Sequence, residues 1–488
     1  MVTSGHLPKG LALLRAKVAS SILRVLRIEG SSMIKITKFG GSSVSSAGQF
    51  KKVKAIVQAD PSRRFVVVSA AGKRDKFDSK ITDLLYLVNA HLQYHVTCDD
   101  LLGTIGQRFC EIAKELNLSY PISHEFGIFR ELAKRGEYTP EYIVSRGEYF
   151  TGRMMAEYLG FPFVDAADVI TFRPDCSIDM EKTSERLKAA IGEEKCFVLP
   201  GFYGATEDGK IKLLDRGGGD ITGAIVAQCL GADLYENWTD VSGFLTADPR
   251  IVDNPKSISR ITYAELRELS YMGASVLHEE AIFPVKDAGI PLVIKNTNAP
   301  DDPGTVISEE TDPGVAEPLI TGIAGKKDFV AIHVKTNHMS SKVGYIRKTL
   351  SIFERYRVSI EHIPTGIDSF AVVVQGSDVK DCLYSIVADI KSELEPDEIK
   401  IVDRLALIST VGRNMPSRPG TSGRLFGELG HAGINIRMIA QGSEELDIVV
   451  GVDVDDFERA IRVIYGAFVD SDDNIITVEE AEEEATNE

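Results

Sequence analysis

The feature that most restricts how this chain can fold is a repeat in its C-terminal part. At one constant offset Ile332 matches Ile408, Gly344 matches Gly420 and Leu350 matches Phe426. Val358-Ser-Ile-Glu-His-Ile363 matches Ile434-Asn-Ile-Arg-Met-Ile439, and Val372-Val-Val374 matches Ile448-Val-Val450. Two stretches that share residue type and spacing in this way are two copies of one structural unit. Each copy reads strand, helix, two strands, helix and a further strand, the ferredoxin-like βαββαβ pattern.

The part before the repeat reads differently. Apolar, β-branched runs (34–38, 64–70, 162–164, 196–200, 210–214, 232–237 and 291–295) alternate with helical runs (79–94, 101–116, 140–159, 182–191 and 263–272). Such alternation predicts an α/β domain, a mostly parallel sheet sandwiched by helices. Ligands in such sheets sit at the carboxyl ends of the strands. Residues 298–318, rich in Pro, Gly, Asp and Thr, read as the connection to the repeat.

Three segments fall at those strand ends: Lys38-Phe-Gly-Gly-Ser-Ser-Val44, Asp215-Arg-Gly-Gly-Gly-Asp220, and Trp238-Thr-Asp-Val241 continuing to Asp248-Pro-Arg250. A strand running into paired glycines bares backbone N–H groups and lets phosphate approach without a Cβ clash. Lys38 adds a positive charge at the same place. Gly217–Gly219 lead into a stretch from Asp220 to Leu230 that reads as a helix, whose N-terminus favours an anion. Arg250 offers a guanidinium suited to phosphate. Singly, each segment is also ordinary turn chemistry. Neither Gly-x4-Gly-Lys-Ser/Thr nor Gly-x-Gly-x-x-Gly is present, so the two commonest phosphate-binding turns are excluded.

At 488 residues the chain has room for about three domains. Its net charge of −17 argues against a nucleic-acid partner. The six cysteines lie scattered, with no Cys-x-x-Cys, as expected of reduced thiols in a cytoplasmic enzyme rather than a zinc or disulfide framework. No apolar run is long enough to span a membrane. Residues 1–32 carry Lys9, Arg15, Lys17, Arg24 and Arg27 and no acidic residue before Glu29. They read as an over-long start or dispensable extension, with an organellar targeting segment as the alternative. Residues 479–488 read as an acidic, solvated tail.

Taken together, the three segments resemble the amino acid kinase superfamily and, within it, the aspartate kinases, from about Met33 to about Val478. Ser69-Ala-Ala with Ile81-Thr-Asp-Leu-Leu85, and Ser145-Arg-Gly-Glu148, resemble that family's aspartate-site segments. The third segment is also similar to glutamate 5-kinase and uridylate kinase, so a related amino acid kinase is the alternative, beside an inactive amino-acid sensor. The repeated units resemble paired ACT domains. The resemblance implies a kinase domain at 33–300, a linker at 301–318, and ACT units at 319–397 and 398–478.

It further implies transfer of the ATP γ-phosphoryl group to the side-chain carboxylate of L-aspartate, with Mg²⁺ carried by the nucleotide. Lys38 then neutralises the moving phosphoryl group and Asp220 holds Lys38. Thr82, Glu148 and Arg216 contact aspartate. Lys38, Gly40, Gly41, Ser42, Thr239, Asp240, Leu245, Arg250 and Ser275 form the ATP site. Two positions depart from the family pattern: Leu245 stands where Tyr is common, and Ser275 where Lys is common. Either Lys256 or Lys295 then compensates, or ATP is held more weakly. For the effector, the resemblance implies Met339, Gly344, Tyr345, Ile346, Ser359, Glu361 and Thr365 of the first unit. Lysine is the expected inhibitor, ahead of threonine, in a homodimer or higher homo-oligomer joined through the ACT units. The second unit is expected to be its structural partner.

Overall fold

The computed structural model describes residues 33–470 apart from 193–194, 216, 275–276, 278–281 and 310–316, together with 475–476. Arg216, Ser275, the N-terminal extension and the acidic tail lie outside the described residues.

Among the described residues ten strands precede the repeat. They are β1 Lys35–Phe39, β2 Phe65–Val68, β3 Thr171–Phe172, β4 Phe197–Pro200, β5 Tyr203–Thr206, β6 Ile211–Leu213, β7 Leu234–Thr239, β8 Arg260–Thr262, β9 Leu292–Asn296 and β10 Thr305–Ser308. Seven of them form one sheet in the order β4-β2-β1-β7-β9-β10-β8. Every pairing in it is parallel except β9 with β10. A small second sheet, β3-β5-β6, lies beside it. The stretch 162–164, expected as a strand, contributes only the single bridge Phe163–Val198.

Strand β1 lies inside the sheet, between β2 and β7. The chain moves to one side of it through β2 and β4, then crosses to β7 and β9 on the other side. The gap above β1 and β7 is therefore the topological switch point, where a crevice opens at the strand ends. Because these strands are covered on both faces, they read as near-continuous apolar runs. Ile36, Val67, Leu199, Tyr235 and Ile294 pack under one helical layer. Phe39, Val66, Val68, Val198 and Trp238 pack under the other. The helix Pro140–Leu159 shows how sharply the sequence marks its ends. Thr139 accepts from the Tyr142 N–H, Pro140 takes the first turn, and Gly160 closes it at φ 75°.

Two expected boundaries move. Strand β10 lies within the stretch taken as linker, yet it pairs with β9 and β8, so the seven-stranded sheet runs to Ser308. The C-terminal repeat is also not two units end to end. Its strands are β11 Glu317–Pro318, β12 Gly322–Lys335, β13 Ser369–Gln375, β14 Glu398–Val411, β15 Met438–Gln441, β16 Asp447–Asp453 and β17 Ile475–Ile476. They make one five-stranded sheet, β13-β12-β14-β16-β15, and the pair β11-β17. The far half of β12 pairs with β13 and with the start of β14, completing the first unit. The near half, Gly322–Lys326, pairs with Leu407–Val411 beside β16, and so supplies the last strand of the second unit. The first unit is inserted into the second, and a division at 397/398 separates strands that belong together. No described helix is long and apolar enough to cross a membrane.

Candidate active site

Lys38 sits near the end of β1, 6% exposed. In register beside it on β7 stands Asn237, so the two side chains share one face of the sheet. The Lys38 ammonium pairs with Oδ1 of Asp220 and lies 3.5 Å from Oδ1 of Asn237. The Asn237 amide donates to the same Asp220 oxygen at 2.8 Å. The lysine is thus aimed by two neighbours from another strand and a helix. Asp220 lies in the first turn of the helix Gly218–Leu230, and its carbonyl accepts from the Tyr235 hydroxyl at 3.0 Å, which ties the helix start to β7.

That helix begins at the site. Gly217 precedes it at φ 86°, a conformation that favours glycine, and Gly218 and Gly219 open its first turn. Their N–H groups have no acceptor within the helix. A Cβ on Gly219 would lie 2.7 Å from Oγ of Ser69 and 3.5 Å from Cε of Lys38, so the helix tip presses against the lysine's surroundings. On the other side Gly41–Val44 form one 3-10 turn. The Gly72 N–H donates to the Gly41 carbonyl at 2.8 Å, and a Cβ on Gly72 would meet Gly41 at 2.5 Å. Three backbone turns therefore converge at the lysine, a cradle that side chains would fill. One expected donor is spent: the Gly40 N–H binds the Trp238 carbonyl at 2.9 Å, leaving Gly41 and Ser42 in that turn.

A second cluster lies beyond Ser69. Gly147 sits where Ala70, Ile81 and Leu85 meet, which brings Glu148 and the helix Ile81–Gln93, with half-buried Thr82 in its first turn, to one place. Glu148 is 4% exposed, and burial pushes its carboxyl up to about 8. The Ala70 N–H and the charge of Arg146 pull the other way. Its Oε2 is buried without a partner in the protein, a polar atom that calls for one. Arg146, itself buried, lies over the rings of Tyr142 and Tyr149 at 4.2 and 4.3 Å.

The remaining expected residues divide. Thr239 ends β7, its hydroxyl on Asp240 at 3.1 Å, and its carbonyl accepts from the Thr297 N–H at 2.8 Å. Leu245 lines an open cavity of about 570 Å³ with Pro249, Asp253, Asn254 and Pro255. The Arg250 guanidinium, expected on phosphate, turns back to Asp248 at 2.6 Å, its side chain largely in solvent. Neither candidate replacement for the missing lysine faces the site. The Lys256 ammonium donates to the Val469 carbonyl of the regulatory part. Lys295 pairs in register with Trp238, on the opposite face of the sheet from Asn237, with its ammonium over the Trp238 ring.

In the first regulatory unit Gly344 caps the helix Tyr345–Arg355 at φ 79°. Ser359 and Thr365 are exposed nearby and Ile346 is half-buried. Met339 and Tyr345 are committed to the unit's core, with the Tyr345 hydroxyl on the Leu394 carbonyl. Glu361, expected to await an effector, accepts a hydrogen bond from the Tyr271 hydroxyl of the catalytic domain at 2.7 Å. The matching turn of the second unit, around Arg418, Gly420 and Gln441, encloses a cavity of about 240 Å³.

With this geometry in place, the comparisons with known proteins agree. Residues 33–296 match the amino acid kinase family, and residues 408–468 match an ACT domain. Aspartokinase 3 of Bacillus subtilis is 35% identical over 449 residues, 89% of this chain and 98% of that one. The chloroplastic aspartokinase 2 of Arabidopsis thaliana is 28% identical over 91% of this chain and 86% of its own. The crystal structure of Clostridium acetobutylicum aspartate kinase superposes with a TM-score of 0.84 at 47% identity, over 90% of this chain and all of that one.

Proposed function

We infer that this chain, which belongs to the amino acid kinase family and within it to the aspartokinases, transfers the γ-phosphoryl group of ATP to the side-chain carboxylate of L-aspartate. The observation that carries this is the Lys38–Asp220–Asn237 cluster at the tip of the Gly218–Leu230 helix, beside the buried, half-satisfied Glu148. A carboxylate is nucleophilic enough without a base, so the obstacle is bringing an anion to an anionic phosphate. Lys38 and the N–H groups of Gly41, Ser42, Gly218 and Gly219 meet that charge. Asp220 and Asn237 hold the lysine in place before substrate arrives, and such preorganised positive groups are the main source of rate in phosphoryl transfer. Mg²⁺ enters with the nucleotide and shields its phosphates. Glu148 receives the aspartate ammonium, Thr82 offers a hydroxyl to the substrate's carboxylate, and Arg216 is proposed for a carboxylate. Thr239, Asp240 and Leu245 mark the nucleotide side.

Incubation with ATP, Mg²⁺ and aspartate, glutamate or UMP in turn is expected to give product with aspartate alone. Turnover of glutamate or UMP without aspartate would overturn the assignment, and no turnover at all would favour a sensor.

The regulatory part fits an amino-acid effector bound in a cytoplasmic homodimer joined through these units. A helix N-terminus at Gly344 suits the effector's carboxylate, and Glu361 suits a cationic side chain, which favours lysine over threonine. Millimolar lysine is expected to inhibit, and Glu361→Ala to raise the half-inhibitory concentration by roughly tenfold or more, as for loss of a charge-assisted bond. Full activity at high lysine and threonine would leave these units as contacts between subunits.

A further inference from the structure

We propose that Arg108 is a positioning residue for phosphoryl transfer: its guanidinium clamps both ends of the loop 72–79, and through them fixes the phosphate turn at Gly41 against the helix that carries Thr82. The proposal rests on the kinase reading above and adds to it a residue that touches neither substrate.

Arg108 stands where its helix should be apolar. The helix Asp99–Glu115 buries Leu102, Ile105, Phe109 and Ile112 at helical spacing, and Arg108 lies on that same face, 2% exposed. A buried guanidinium is costly unless its charge is balanced and its hydrogens are bonded, and an apolar side chain of similar size commonly does better. Here the Nε has no partner in the protein, so the cost is not fully offset.

What the two outer nitrogens hold accounts for the residue. One donates to the Gly72 carbonyl and the other to the Ser79 carbonyl at 2.6 Å. Residues 73–77 between them are exposed, and the Ile81 N–H closes the base of the loop on the Ala71 carbonyl at 3.1 Å. Asp78 supplies a countercharge 3.5 Å from the guanidinium. Burial alone would raise its carboxyl, but bonds from the Arg74 side chain and N–H hold it down at about 2, so it stays ionised. Glu111, one turn on from Arg108, takes the Arg74 guanidinium at 3.3 Å on the surface, a weak tie.

Each clamped end continues straight into the site. Gly72 gives its carbonyl to Arg108 and its N–H to the Gly41 carbonyl at 2.8 Å, so a single residue separates the guanidinium from the phosphate turn. A Cβ on Gly41 would come within 3.0 Å of the Ala70 carbonyl, which leaves that turn little slack. Ser79 stands just before the helix Ile81–Gln93, whose first turn carries Thr82. The phosphate side and the aspartate side are thus joined by one planar fork. Lysine cannot reproduce it, because a single ammonium nitrogen reaches one end of the loop or the other. A relative displacement of about 1 Å between two bound substrates is enough to cost about 10²-fold in rate while each still binds.

Arg108→Lys and Asp78→Asn, each in the full chain beside wild type, decide the matter. With rates expressed per MgATP-binding site counted by calorimetry, Arg108→Lys is expected to lower kcat about 10²-fold and to leave KM for aspartate and for MgATP within about threefold. Asp78→Asn keeps both carbonyl bonds and is expected to hold kcat within about threefold of wild type. A second readout needs no turnover. In wild type the Gly72 and Ile81 amides are expected to exchange only when the helix Asp99–Glu115 opens, and in Arg108→Lys to exchange about tenfold faster or more while that helix is unchanged. If wild type phosphorylates no aspartate, the kinase reading falls and the exchange measurement alone decides the clamp. A kcat for Arg108→Lys within about threefold of wild type would overturn the proposal, as would an equal loss in Asp78→Asn, which would make Arg108 an ion-pair partner only. Should Arg108→Lys fail to fold, wild type still decides: Gly72 and Ile81 amides that open independently of the helix would overturn the clamp.

Discussion

Replacing Lys38 with methionine is expected to lower kcat by about 10³-fold, the scale of losing one preorganised charge at a developing anion. Methionine keeps the length and apolar character of the stem, so the change removes the ammonium and little else. Asp220 is left facing Asn237, but its side chain is 17% exposed and retains water. Folding should therefore survive, checked by an unfolding midpoint within a few degrees of wild type. The KM for aspartate should change far less than kcat if, as proposed, the lysine acts on the phosphoryl group rather than on the amino acid. Asp220→Asn is expected to cost less than Lys38→Met, and the double variant little more than Lys38→Met alone, since Asp220 acts through the lysine. A near-normal rate for Lys38→Met would assign the phosphoryl charge elsewhere.

Glu148→Gln is expected to separate stability from function. In the free protein burial holds the carboxyl up to about 8. The folded chain therefore keeps a proton that the unfolded chain has lost, and its stability falls as pH rises from the ordinary carboxyl range toward about 8. A neutral amide of the same shape removes that cost. The variant should exceed wild type in stability by on the order of a few kcal/mol at pH 8 and lose the advantage near pH 4. Binding runs the other way. In the proposed role Glu148 must be ionised to receive the aspartate ammonium, so below pH 8 each binding event is expected to release a proton. Wild-type KM for aspartate is expected to fall about tenfold per unit between pH 6 and 7.5 and to level off above 8. The aspartate itself does not change charge over that span. In Glu148→Gln the KM should rise roughly 10²-fold and become flat with pH. A flat wild-type profile would show that Glu148 is already ionised before aspartate arrives.

The sequence displayed the parts of the site that are local. Lys38 with its glycines, Gly217–Gly219 with Asp220, and Glu148 after Gly147 each announce themselves by turn or helix chemistry within a few residues. The same is true of the two fold types, because strand–helix alternation and a constant repeat offset are one-dimensional patterns. What escaped is what the fold brings together. Asn237 meets Lys38 only because β1 and β7 are neighbours in register, and no local pattern distinguishes it from any polar residue at a strand end. Arg146 lies in the quoted Ser145–Glu148 segment, but its stacking on Tyr142 and Tyr149 depends on helical side-chain directions. Strand β10 was hidden by Pro and Gly on either side of a short apolar run. Lys256 and Lys295 carry the right charge, but strand parity and a contact with Val469 direct them elsewhere, which no local pattern in the sequence reveals.

The interleaving of β12 and β14 has a consequence for how the chain is made. Gly322–Lys326 emerges from the ribosome well before Leu407–Val411, the strand it must join. Until then it is an unpaired apolar edge, the kind of surface that invites pairing with another chain. The first regulatory unit cannot simply fold and be set aside, since its own last strand is the first part of β14. Both units therefore have to close together, late, after most of the protein has left the exit tunnel. Truncation anywhere between Lys335 and Val411 should leave an aggregating product rather than a shortened, unregulated enzyme.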